Sequence, residues 1–195
     1  MFKRSTWRLT LGALLFALCT VPVLAQQTNF HAAGVIEPLN TFGFSNPVYG
    51  VTAGGDVRSG RLALSVDVNL DRVRKVVGGP GYQISAQQTL RFNLKPKFFI
   101  QAGAVEQHYS VRDFSKSSLQ PLVGIGYAPG PSQVVSVSYR HDLTSENRQR
   151  LAVLRWQIYH RKHFYADMQM AVGRFRSGRS SEVGTASKFA IGFWF

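Results

Sequence analysis

Residues 61–71 read Arg-Leu-Ala-Leu-Ser-Val-Asp-Val-Asn-Leu-Asp. Leu62, Leu64, Val66, Val68 and Leu70 share one parity, while Arg61, Ala63, Ser65, Asp67, Asn69 and Asp71 share the other. A helix would carry its apolar residues three and four apart, whereas strict alternation places them on one side of a strand. The stretch is therefore a β-strand with one wholly apolar face and one polar face. The polar face is built from small or uncharged side chains plus a few carboxylates, which suits a confined interior better than open solvent.

The same rhythm recurs outward in both directions. In Tyr82–Leu94, Tyr82, Ile84, Ala86, Leu90, Phe92 and Leu94 oppose Gln83, Ser85, Gln87, Thr89, Arg91 and Asn93, and only Gln88 interrupts the apolar row. Phe98–Tyr109, Leu119–Ala128, Val134–His141, Arg148–Tyr159, His163–Phe175 and a last segment from about Thr185 to Phe195 alternate in the same way. Upstream, Val48–Val57 reads as a strand, and Asn29–Asn40 as a weaker one. The connections alternate in length. Ser59-Gly60, Lys95–Lys97, Ala128–Pro131 and His160–Lys162 are tight, whereas Asp71–Gly81, Ser110–Ser118, Asp142–Asn147 and Arg174–Gly184 are longer and polar. Segments of about ten residues, separated alternately by short turns and longer loops, predict an all-β, antiparallel, up-and-down transmembrane β-barrel. Counting gives ten strands if Asn29–Asn40 joins the barrel, and eight if the N-terminal segment stays outside it. Phe92, Phe98, Phe164, Phe193 and Phe195 fall at the short-turn side and Tyr82 and Tyr139 at the long-loop side, as two interfacial girdles require.

The first 25 residues are set apart from this pattern. Lys3, Arg4 and Arg8 precede an apolar run from Leu9 to Leu24, and Val23-Leu24-Ala25 places small residues where a signal peptidase cuts. A signal peptide spanning residues 1–25 is expected, with the mature chain starting at Gln26. Cys19, the single cysteine, leaves with it, so a disulfide or cysteine metal site is excluded. Removing 25 of 195 residues leaves 170, enough for one barrel domain (residues 26–195). The removed segment holds three of the 23 basic residues and none of the ten acidic ones, so the mature chain carries a net charge of +10. In an exported protein that charge points to anionic lipid head groups rather than nucleic acid. The mean hydropathy of −0.07 fits a barrel in which every second residue meets lipid.

The C-terminal heptad Phe189-Ala190-Ile191-Gly192-Phe193-Trp194-Phe195 resembles the signature of bacterial outer-membrane proteins. The resemblance implies residence in a Gram-negative outer membrane. It also implies that Phe189, Ile191, Phe193 and Phe195 are read by the barrel-assembly machinery. A narrower resemblance runs through Lys95–Ala104 and Val135–Ser145, which are similar to segments of lipid A deacylase-like barrels. There a His at the external end of a strand works with a Ser two residues later and an acidic partner. His141 matches in position, but residue 143 is Leu; Ser145 and Glu146 stand close by at other spacings. A serine nucleophile needs its base within hydrogen-bond reach. The resemblance therefore leaves a lipid A-modifying hydrolase using His141, Ser145 and Glu146 as the alternative to a non-enzymatic barrel, either structural, surface-interacting or a narrow pore.

Two further groups stand out. Arg72, Arg74, Lys75, Arg174, Arg176 and Arg179 flank the long loops with few compensating acids, and guanidinium groups pair bidentately with phosphate. They are candidates for contact with lipopolysaccharide. Arg155, Asp167 and Lys188 lie on polar faces of consecutive strands, with Arg155 and Asp167 each six residues from Arg161 and Lys188 seven from Phe195. Similar heights would set Asp167 between two cations, with Asp67 as a further anion, in a paired lumen network. No cofactor or metal is implied: the Gly124-Ile125-Gly126 run is not followed by a helix, and His160 and His163 sit beside Arg161 and Lys162.

Overall fold

The computed structural model describes residues 27–41, 44–76, 79–111, 114–130, 132–143, 149–160, 163–177 and 180–195. The expected signal peptide lies outside them. Ten antiparallel strands close into one barrel: β1 Gln27–Thr41, β2 Phe44–Ser59, β3 Leu62–Val76, β4 Gly79–Lys95, β5 Phe98–Val111, β6 Phe114–Gly130, β7 Gln133–His141, β8 Gln149–His160, β9 Phe164–Ser177 and β10 Ser180–Trp194. Each strand pairs with its sequence neighbours, and β1 with β10 seals the ring. The N-terminal segment thus supplies a barrel strand, and the eight-strand count is set aside. At the seam, the backbones of Phe30 and Phe195 exchange two hydrogen bonds of 2.9 Å, and their rings stack at 6.5 Å. The start of β1 and Phe195 lie at one rim, called here the near rim.

The alternation read from the sequence sorts side chains inside-out relative to a soluble protein. Val51, Leu70, Leu90, Ile125, Val137, Met170, Val172 and Ile191 are exposed on the outer wall, while Ser65, Asp67, Asn69, Thr89, Arg91, Arg155, Gln157 and Asp167 are buried inside. An apolar outer band around a polar interior is stable in hydrocarbon and would be costly in water, so the barrel spans a membrane. Closure leaves no unpaired strand edge in the lipid.

The strands run further than the sequence pattern suggests. Three of the four segments expected as long loops are largely strand: β3 runs to Val76 before β4 starts at Gly79, β5 to Val111 before β6 starts at Phe114, and β9 to Ser177 before β10 starts at Ser180. Pairing of backbone groups continues there although the apolar row has stopped, because these hairpin ends rise beyond the apolar band. On β5 the outward row turns polar at Glu106 and His108, and His108 Nδ1 meets Ser117 Oγ of β6 at 3.0 Å. Between β7 and β8, Asp142 and Leu143 lie outside any strand, and residues 144–148 lie outside the described residues.

Inward glycines make room for bulky neighbours. A methyl group on Gly126 would fall 2.0 Å from Phe99 Cζ, so the Phe99 ring enters the lumen across the space a side chain would fill. Phe99 is buried inside the near end of the barrel with Arg91 stacked 5.4 Å from its ring centroid.

Candidate functional site: the barrel lumen

Two transverse layers of side chains cross the lumen. The lower layer begins on β2, where Asp56 Oδ2 accepts a hydrogen bond of 3.1 Å from the Tyr159 hydroxyl of β8. Gln157 Nε2 donates to that hydroxyl at 3.2 Å, and Arg91 of β4 donates to Gln157 Oε1 at 3.1 Å. Tyr165 stacks on His31 at 4.3 Å and packs against Tyr159 at 5.3 Å; Trp194 meets Tyr159 edge-on at 6.4 Å. Tyr159, Tyr165 and Trp194 pack with Ala33, Val35 and Ala190 as the largest apolar cluster among the described residues.

The upper layer is ionic. Arg155 of β8 grips Asp167 of β9 through Nε at 3.1 Å to each carboxylate oxygen and through Nη2 at 2.7 Å to Oδ2. Its Nη1 reaches Asp67 of β3 at 2.9 Å. Strands β3 and β8 are five strands apart in either direction around the ring, so this one side chain joins opposite walls. His31 Nε2 lies 2.9 Å from Asp67 Oδ1, a close approach without hydrogen-bond alignment, and Gln169 donates to Asp167 Oδ2 at 3.2 Å. Gly54 makes the layer possible. A side chain there would meet Val66 O at 2.4 Å, Asp67 Oδ1 at 2.6 Å and His31 Cε1 at 2.8 Å.

The four charged lumen residues singled out from the sequence thus divide. The structure brings Asp67, Arg155 and Asp167 into contact, with one cation between two carboxylates rather than one carboxylate between two cations. Lys188 stands apart, hydrogen-bonded to Asn69 of β3 and 3.7 Å from Glu37 of β1. Counting residues from the β8–β9 turn levelled Arg155 with Asp167, but the ladder pairs Arg155 with Gln169 and Gln157 with Asp167. The offset arises because residues 161–163 all belong to the connection, where His163 adopts a left-handed φ of 61°. The sequence reading set Asp71 and Arg91 on inward polar faces without adding them to the charge network, and it did not single out Glu37 or Arg140. Each sits on the inward parity of its strand, so the signal was available. Asp71 is fully buried, and neither of its carboxylate oxygens has a hydrogen-bond partner.

Above the ionic layer lies a cavity of about 240 Å³, walled by Gln83, Gln87, Gln107, Gln120, Arg140 and Lys188 among others, with Asp67, Arg155 and Asp167 at its base. It shares Gln83, Gln107 and Gln149 with a second space of about 200 Å³ that also touches Tyr109 and Asp142. These spaces lead away from the near rim.

On the outer wall, Arg72, Arg150 and Arg174 are exposed and stand at one level: ten residues from Leu62, His160 and Phe164 respectively. Ten residues span about 34 Å along a strand and, at a tilt of about 40°, about 26 Å along the barrel axis, which matches the height of the apolar band. Arg72 is flanked in the ladder by exposed Tyr49 and Tyr82. The side chains of Arg74, Lys75, Arg176 and Arg179 lie outside the described residues. His141 faces outward beside Arg150, with its Nδ1 shielded and unpartnered, but Ser145 and Glu146 lie outside the described residues. Phe189, Ile191, Phe193 and Phe195 form an exposed outward row. Among the described residues no group of His, Cys, Asp or Glu is arranged to hold a metal.

No family model matches the chain, and no curated protein matches it in sequence. Solved structures with a similar barrel include the outer membrane channel DcaP of Acinetobacter baumannii, at 12% identity and a TM-score of 0.41, covering 88% of this chain. This chain spans 60% of that one. The outer membrane protein Ail of Yersinia pestis matches at 10% identity and a TM-score of 0.44, covering 86% of this chain and 98% of that one. The translocator domain of the autotransporter NalP from Neisseria meningitidis matches at 10% identity and 0.42, covering 98% of each. The likeness to all three lies in barrel architecture alone.

Proposed function

We propose that this protein is a non-enzymatic barrel of the bacterial outer membrane, exported by a cleaved signal peptide, whose lumen is closed and whose far rim contacts lipopolysaccharide. The observation that carries the closed lumen is the reach of Arg155 from β8 to Asp67 on the opposite wall, with Asp167 clamped to the same guanidinium. A solute would have to break a buried ion triad and then pass the Tyr159–Gln157–Arg91 layer beneath it. Removing partners from such a triad is expensive, so an ion gains nothing by displacing them. The level arginines Arg72, Arg150 and Arg174 support lipid contact. They stand where the apolar band ends and phosphates begin; Arg74 and Lys75 continue β3 and Arg176 continues β9 beyond them, and Arg179 follows in sequence. The outward C-terminal row would serve as the assembly signal.

Planar-bilayer recording tests the reading. The purified protein should show no steady conductance, and Arg155→Ala should open one. Strong conduction by the unsubstituted protein would make a pore the better description.

A further inference from the structure

Three cations border the cavity above the ionic layer, and two of them are matched. Arg155 is held by Asp67 and Asp167, and Lys188 by Glu37 and Asn69. Arg140 of β7 is not. Its Nη2 donates to Gln87 Oε1 at 3.0 Å, its Nε is shielded from solvent without an acceptor, and among the described residues no carboxylate lies within ion-pair distance of it. A guanidinium carries five donors in a flat fork that fits a carboxylate bidentately. Carboxamides supply much of the polar wall. Gln87 Oε1 accepts from Arg140 and Gln107 Oε1 from Gln120, which leaves the Gln107 Nε2 donors, the Gln120 Oε1 acceptor and the Gln83 amide to meet hydroxyl groups. At about 30 Å³ per water, the cavity has room for about eight waters or for one six-membered sugar ring with a few of them.

We infer that this chamber is a binding site for a monosaccharide-sized sugar acid, whose carboxylate sits on Arg140 and whose hydroxyls meet Gln83, Gln87, Gln107 and Gln120. A neutral sugar would leave the Arg140 fork unmet, and a plain carboxylate would leave the amides unmet. Entry is from the far rim, through the second space above. The site depends on the chamber wall and not on closure of the lumen below, so conductance and binding are separate readouts.

Titration calorimetry on the detergent-solubilised protein, with D-glucuronate, D-glucose and acetate as probes, tests this. Glucuronate should bind saturably with one site per barrel, and glucose and acetate should each bind at least tenfold more weakly. Arg140→Gln should weaken glucuronate at least tenfold. Gln87→Glu serves as a second variant: it supplies the missing anion from within, so it should preserve or raise the melting temperature while also weakening glucuronate at least tenfold. Absence of glucuronate binding to the unsubstituted protein, equal binding of glucose, or undiminished binding by a folded variant would each overturn the inference.

Discussion

Asp167→Ala tests the ionic layer most directly, because it removes the better of the two partners of Arg155. Three contacts of 2.7–3.1 Å disappear, while the single contact of 2.9 Å to Asp67 remains. Stranding a buried charge costs about 3–5 kcal/mol. Here Arg155 keeps one carboxylate and borders a cavity that water can enter, so a loss of about 2–3 kcal/mol is expected. Asp67→Ala leaves the bidentate clamp intact and should cost less, about 1–2 kcal/mol. The double substitution is the sharper measurement. Neither single change leaves Arg155 without an anion, but both together do, so the double should exceed the sum of the singles by about 1–2 kcal/mol. Urea titrations of the mature chain in lipid vesicles, followed by the fluorescence of Trp156 and Trp194, would give the three values. A double cost equal to or below the sum, or Asp67→Ala costing as much as Asp167→Ala, would refute the picture of one cation shared by two carboxylates.

Other expectations follow from the same geometry. Leu90→Arg should destabilise the barrel by about 2–4 kcal/mol in lipid, because Leu90 is half-exposed near the middle of the apolar band; a change within about 0.5 kcal/mol, as for an exposed leucine of a soluble protein, would argue against the lipid-facing assignment. Gly126→Ala should cost about 1–3 kcal/mol by driving a methyl group into the Phe99 ring, and Phe99→Leu in the same chain should recover part of it; additive losses would show that the ring is not the obstacle. Phe195→Ala keeps both backbone hydrogen bonds to Phe30, so unfolding in vitro should change little, while the amount assembled in cells should fall on quantitative blots of outer-membrane fractions. Normal assembled levels would count against an assembly role for the terminal ring.

The strands, their two faces and the inside-out sorting were legible in the residue pattern alone, because side-chain parity is a local property of an extended backbone. Leu62–Asp71 and Tyr82–Leu94 lie in β3 and β4 with Leu70, Tyr82, Leu90 and Phe92 outside and Ser65, Asp67, Asn69, Ser85, Thr89 and Arg91 inside, as alternation requires, while Arg61 falls in the preceding turn. Alternation also exposed Asn29–Asn40 as a strand, but not whether it joined the ring. That was decided by pairing of β1 with β10, a contact between the two ends of the chain that no local pattern encodes. The far hairpins were misjudged for a related reason: an apolar period reports lipid, and strands that rise past the lipid lose the period while keeping their hydrogen bonds. Parity likewise placed Arg155, Asp167, Asp67 and Lys188 inside without saying who meets whom. Partnership in a barrel depends on register and on which strands face each other across the ring. A two-residue offset at the β8–β9 connection and the opposition of β3 and β8 gave Arg155 both carboxylates, and the approach of β10 to β3 gave Lys188 to Asn69. Those are distances across a closed surface, fixed only when the last strand meets the first.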